Sequence, residues 1–184
     1  MSTITATPFR LKDGKMMVLR SATPADAPQI LEHVHAILAE GEFVLSTLED
    51  FHMTEEQEAL WLQTNLDEPC KVVIVAENES QLIGLLNFHN GERKRISHQG
   101  ELSMSVNRAW RSQGIGRALL SALILWAQQE PVIEKVCLEV FATNTRAISL
   151  YQALAFQEEG RLVKQIKLGP GMYVDTIRMG RFVK

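Results

Sequence analysis

Long apolar runs are missing from this sequence. Its longest nearly apolar stretch, residues 118–127, is interrupted by Ser121 and falls far short of the roughly 20 residues that a bilayer-spanning helix requires. Residues 1–10 carry Ser, Thr and Pro where a secretory signal would have a basic head and an apolar core, so a cytoplasmic location is the default expectation and no membrane partner is implied. Charge of one sign is lacking as well. Nineteen basic against twenty-two acidic residues give a net charge of -3, without the broad positive footprint of a nucleic-acid binder, although local basic pockets remain open. Cysteine is scarce: Cys70 and Cys137 lie far apart among apolar neighbours and read as packed thiols, neither a disulfide nor a nucleophile. There is no fixed-period repeat, low-complexity segment or Pro/Gly-rich linker. With 184 residues, 46% apolar and 22% charged, the chain reads as one globular domain over 9–184, preceded by a flexible tail over 1–8.

What is present is a well-punctuated alternation of strands and helices. Residues 15–20 (KMMVLR) have the short apolar character of a strand. Thr23, Pro24 and Asp26 then supply a capping hydroxyl, an N1 proline and an acidic first turn ahead of Ile30, Leu31, Val34 and Leu38, predicting a helix that ends near Gly41. A second helix is expected from Thr54, where Thr-Glu-Glu-Gln forms a capping box. Residues 71–77 and 81–88 read as an antiparallel hairpin around Asn78-Glu79-Ser80, and 101–106 (ELSMSV) as a further strand. A helix over 114–129, a strand over 135–141, a helix over 145–154 and a strand pair around Gly169-Pro170-Gly171 complete the chain. This order predicts an α/β or α+β layered domain, with a mixed, mostly antiparallel central sheet and helices on both faces.

The most informative stretch is Arg111-Ser112-Gln113-Gly114-Ile115-Gly116, set between a strand and an apolar helix. At such a turn the unpaired amides of the first helical turn point outward, the helix dipole adds partial positive charge, and glycine lets a ligand approach the backbone. A pyrophosphate fits that environment, and Arg111 and Arg117 can add guanidinium charge. The letters match neither a P-loop nor a dinucleotide-binding Gly-x-Gly-x-x-Gly, since Ala118 and Leu119 follow Gly116. Other candidates carry less. His33 and His35 are two apart on a helix and do not form a metal pair, and no metal site is expected. Arg93-Lys94-Arg95 reads as a solvated hairpin loop, and Trp61, Trp110 and Trp126 as packing aromatics, with Trp110 next to the pyrophosphate loop.

With Arg111, Gly114 and Gly116, the stretch resembles the Arg/Gln-x-x-Gly-x-Gly/Ala signature of the GNAT superfamily of N-acetyltransferases. Leu138-Glu-Val-Phe-Ala-Thr-Asn144, followed by Ala147, Leu150, Tyr151 and Phe156, looks like the second motif of that family, and Leu19-Arg20-x-Ala-x-x-x-Asp26 like its opening. The likeness runs over about 18–179. One departure is Ala155, where the family usually has glycine; alanine there requires a different turn or about 1 kcal/mol of strain.

The resemblance implies acetyl-CoA as donor, with its pyrophosphate on the amides of Gln113, Gly114, Ile115, Gly116 and Arg117. Its pantetheine arm would lie where the strands over 101–106 and 135–141 part. A bulge there is implied to free amides around Ser105 and Val106, which matter more than the Ser105 hydroxyl and polarise the thioester carbonyl. Asn144 is expected to cap the following helix while touching the pantetheine. Two proton transfers accompany acetylation of an amine. An alkylammonium must lose a proton before it attacks, and the leaving thiolate departs more easily when protonated. The resemblance puts Tyr151 in the acid role; Glu101, His98 or a water relay are open as base. The acceptor is expected over the exposed thioester, near 40–53 and Gly171-Met172-Tyr173, and is a small primary amine or a protein amine. A homodimer is compatible with the resemblance, though no segment compels it. Two alternatives stay open: a non-catalytic acyl-CoA sensing module, and an acyltransferase with a longer donor.

Overall fold

The computed structural model describes residues 3–184. Its elements in chain order are β1 (Thr7–Arg10), β2 (Met16–Ser21), α1 (Ala27–Glu40), α2 (Glu55–Asp67), β3 (Lys71–Asn78), β4 (Gln81–Asn90), β5 (Gln99–Val106), α3 (Ile115–Gln129), β6 (Lys135–Phe141), α4 (Thr145–Gln152), β7 (Gln157–Gly169) and β8 (Met172–Phe182). The strands form one eight-stranded sheet in the order β1-β2-β3-β4-β5-β6-β8-β7. Every neighbouring pair is antiparallel except β5 and β6.

Local chemistry sets the boundaries. The Asp26 carboxylate accepts from the Thr23 amide at 2.7 Å and its hydroxyl at 3.0 Å, so the acid, more than the hydroxyl, organises the approach to α1. Arg20 donates to Asp26 through both terminal nitrogens, at 2.8 and 2.7 Å, and reaches Glu77 at 2.7 Å, which ties β2, β3 and the start of α1 together. Gly41, at φ 64°, ends α1 in the left-handed conformation. At α2 the capping box forms as the spacing predicts: Gln57 N–H donates to Thr54 Oγ1 at 3.3 Å, and Thr54 N–H to Gln57 Oε1 at 3.0 Å. The β3–β4 hairpin turns through Glu79 and Ser80 at φ 48° and 65°, the backbone hand that matches strand twist.

Two hydrophobic layers cover the sheet. On one face α3 sinks Leu119, Leu120 and Leu123 against Ile74, Leu86 and Phe88, each buried leucine contributing on the order of 2 kcal/mol. On the other, Ile30 of α1 and Leu62 of α2 cover Val73, Val75 and Leu85. The mixed sheet with helices on both faces is therefore as expected. Two expectations change. Strand β1 begins at Thr7, inside the tail expected over 1–8, and the Ile4 amide donates to Ser21 Oγ at 2.9 Å; residues 1 and 2 lie outside the described residues. No bulge interrupts β4 and β5, which stay in register from Gly84↔Val106 to Asn90↔Gly100, and the register shift of β4 falls against β3, between Ala76 and Glu77.

Candidate active site

The open backbone expected near Val106 arises because β6 leaves. Asn107 N–H donates to Ile83 O, and Gly91 N–H to Gln99 O, both at 3.0 Å, so the odd-numbered residues of β5 turn their amides toward β4. The even-numbered ones face the other way: the His98 carbonyl accepts from Glu134 and Lys135 at 2.7 and 3.1 Å. Strand β6 holds its parallel register only from Gln99↔Lys135 to Glu101↔Cys137. Beyond Glu101 the main-chain groups of Met104 and Val106 therefore face a gap. Ser105 has its amide turned to Leu85, so of the two amides expected there it is Val106's that opens on the gap, while Ser105 borders the cleft.

The gap widens into a cleft of about 530 Å³. Its walls are the open end of β5, the start of α3 from Gly114 to Arg117, the start of α4 from Thr143 to Ala147, and Glu42–Val44 after α1. Ser112 at φ 68° and Gly114 at φ 98° swing the chain from the Arg108–Trp110 turn into α3. Gly114 is the N-cap, with no side-chain cap and no acid in the first turn, so the leading amides of α3 are offered to the cleft with the positive end of the helix dipole. Gly116 serves packing: a Cβ there would sit 3.2 Å from Leu150 and 3.4 Å from Met104. Gln113 borders this turn, and its carbonyl accepts from Lys12 N–H at 3.4 Å.

Charge around the cleft is divided. Arg111 donates from Nε to the Val106 carbonyl at 3.0 Å and from Nη2 to Glu40 at 2.6 Å, so its guanidinium braces β5 against the end of α1. Lys12, Arg117 and Arg146 also line the cleft, are exposed, and have no ion-pair partner among the described residues. Asn144 caps α4 as expected, Oδ1 accepting from Ala147 N–H at 3.1 Å, and borders the cleft.

Tyr151 is 7% exposed and packs at a tilt against Phe156, ring centroids 5.9 Å apart. Its neighbour Leu150 borders the cleft, and Tyr151 itself lies behind that wall. Burial pushes the phenol up to about 12, so the hydroxyl keeps its proton at neutral pH. The contact is set by the end of α4: Phe156 N–H donates to Tyr151 O and Ala155 N–H to Gln152 O, both at 3.0 Å, with Ala155 left-handed at φ 61°. This is a glycine-type helix stop built on alanine, strained as the sequence implies.

The proposed bases stand elsewhere. Glu101 pairs with Arg178 at 2.9 Å and lines a separate cavity of about 180 Å³ beside Cys137. Four residues of strand, roughly 13 Å, separate it from Ser105. His98 lies in the turn before β5 and does not line the cleft. Arg93-Lys94-Arg95 occupies the same distal end, in the β4–β5 loop. His33, which the sequence offers only as half of a metal pair, adjoins the site through Ser105. Three residues after Ile30 and four before Ile37, it shares their buried stripe, which is the signal that marks it. Its Nε2 lies 2.8 Å from Ser105 Oγ. Burial, with Arg111 adding to it and Glu40 opposing, pushes the imidazole down to about 4, so it is neutral at physiological pH.

Comparisons with known proteins identify the family and the fold. The L-amino acid N-acetyltransferase AaaT of Escherichia coli (strain K12) is 28% identical over 165 residues, 90% of this chain and 97% of that protein. A GNAT-family acetyltransferase from Streptococcus pneumoniae superposes with a TM-score of 0.87 at 24% identity, over 91% of this chain and 99% of the other. A phosphinothricin acetyltransferase from Sinorhizobium meliloti, solved in complex with acetyl-CoA, gives 0.77 at 25% identity, over 97% and 89%. The family model described as acetyltransferase (GNAT) family matches residues 36–156, more than half of the chain. The chain thus belongs to the GNAT family and is an acetyl-CoA-dependent N-acetyltransferase.

Proposed function

We propose that the protein transfers the acetyl group of acetyl-CoA to a small primary amine by direct attack within a ternary complex. The observation that carries this reading is the departure of β6 beyond Glu101, which leaves Val106 N–H facing a gap continuous with the uncapped start of α3. A diphosphate on the amides of Gly114 to Arg117 would leave the pantetheine to run along β5, and the thioester carbonyl to meet the Val106 amide. Lys12, Arg117 and Arg146 supply charge to the phosphates, whereas Arg111 holds the β5 edge in shape.

The amine nitrogen attacks the thioester carbon, the carbonyl electron pair moves to oxygen, and collapse expels the thiolate. Tyr151, protonated at neutral pH, supplies the proton that the thiolate takes and regains one from solvent; it stands behind Leu150 at the cleft wall, so the bound coenzyme has to bring its sulfur to the phenol. The surplus proton of the amine leaves through water at the open cleft, from which Glu101 and His98 are both remote. The names of the E. coli and S. meliloti relatives make amino-acid amines the first acceptors to try. The test is thiol release from acetyl-CoA across a panel of amino acids, polyamines and peptides. Amine-dependent release supports the reading; tight coenzyme binding with no release from any acceptor would leave a non-catalytic acyl-CoA module instead. A series of longer acyl-CoA donors, with acetyl preferred, checks the donor.

A further inference from the structure

His33 lies beneath the cleft with a relative exposure of 4%. One ring nitrogen, Nε2, meets Ser105 Oγ at 2.8 Å; the other, Nδ1, is buried with no hydrogen-bond partner among the described residues. These two facts constrain the proton. A neutral imidazole carries one N–H, and placing it on Nδ1 would strand a buried donor, whereas placing it on Nε2 leaves only a bare acceptor unsatisfied. Orphaned buried N–H groups are the rarer of the two in folded proteins. The favoured tautomer therefore has Nε2–H donating to Ser105 Oγ.

That assignment decides what Ser105 does. A hydroxyl has one proton to give, and an oxygen already accepting from His33 turns that proton elsewhere. Ser105 sits opposite Leu85, beyond the last residue paired to β6, and borders the cleft. Its amide is committed to β4, so the hydroxyl is the polar group it brings to the gap. We propose that His33 is a positioning residue that fixes Ser105 as a hydrogen-bond donor to the thioester carbonyl, beside the Val106 amide. The inference rests on the reading above, that the thioester lies in the β5/β6 gap. As the amine attacks, negative charge grows on that oxygen, and a pre-aimed O–H stabilises it without reorganising. His33 itself takes no proton in the step.

The test has two parts. In the resting wild-type protein, long-range ¹H–¹⁵N correlation of the imidazole should show His33 with a bare Nδ1 and a protonated Nε2. A proton on Nδ1 would overturn the proposal, because Ser105 would then spend its own proton on His33 and show the cleft only a lone pair. In kinetics, Ser105→Ala should lower kcat by about 100-fold with the KM for acetyl-CoA little changed, the lower end of the range for loss of one donor at a developing oxyanion, since the Val106 amide remains. His33→Leu should lower kcat by about tenfold. His33→Gln, whose side-chain amide keeps a donor at similar reach, should restore most of that loss. The double variant His33→Leu/Ser105→Ala should be no slower than Ser105→Ala alone, since His33 acts through the serine. An unchanged kcat in Ser105→Ala, or independent losses that multiply in the double variant, would refute it. Failure of the underlying reading looks different: the Val106 amide resonance of the wild type would not respond to acetyl-CoA, and the thioester would have to lie elsewhere.

Discussion

His33 should make the protein sensitive to mild acid. Its imidazole is pushed down to about 4, burial being the largest cause, while an unfolded chain has the ordinary value near 6.5. Between those values the unfolded state takes up a proton that the native state refuses, so unfolding becomes easier as pH falls. The contribution is fully present above about pH 6.5 and is lost as pH drops toward 4. At 1.36 kcal/mol per pH unit, the full window amounts to about 3 kcal/mol, a large share of a typical domain's stability. The perturbation to make is His33→Gln, which removes the titrating group and keeps a donor for Ser105. Urea unfolding of both proteins between about pH 7 and pH 4 gives stability against pH. The wild-type curve should fall more steeply, by up to about 3 kcal/mol over the window, and the two should converge in slope above pH 7. Parallel curves would refute the reasoning, because they would mean that His33 protonates equally well in the folded and unfolded chain.

Three further outcomes follow from particular contacts. Ala155→Gly relieves a left-handed alanine, worth about 1 to 2 kcal/mol, against about 0.4 to 1 kcal/mol for the freer unfolded glycine. Taking the middle of each range, the net gain should be about 0.8 kcal/mol in urea unfolding. Tyr151→Phe should cut kcat by about tenfold or more while leaving the acetyl-CoA dissociation constant nearly unchanged; equal loss in both would make Tyr151 a packing residue only. Arg117→Ala should weaken acetyl-CoA by roughly 2- to 5-fold at low salt and flatten the salt dependence seen by calorimetry, since Arg117 is exposed at the cleft and unpaired among the described residues.

The parts of the molecule written in local chemistry were legible in the sequence. The capping box at Thr54 and Gln57, the hairpin through Glu79 and Ser80, and the glycine turn before α3 each depend on residues a few positions apart. What the sequence hid depends on partners far along the chain. Arg111 looks like a phosphate ligand until Glu40, 71 residues away, is found holding its guanidinium. His33 looks like half of a failed metal pair until α1 folds onto Ser105, 72 residues later. Glu101 looks like a base because it shares a strand with the open amides, but strand rise carries it to the other end of β5, beside Arg178. The bulge implied by resemblance is absent for a topological reason: parting of β6 frees the same backbone without breaking the β4–β5 ladder. Strand β1 escaped because TPFR, a short fully exposed edge segment, has no buried alternation to announce it.

The account stands most directly on where the coenzyme's diphosphate binds. Titration of ¹⁵N-labelled protein with acetyl-CoA, followed by backbone amide shifts, reads that position residue by residue. The amides of Gly114, Ile115, Gly116 and Arg117 should show the largest changes, with Val106 next. If those amides stay still while acetyl-CoA binds tightly and shifts another surface, the start of α3 is not the coenzyme site and the assignment of the cleft is wrong.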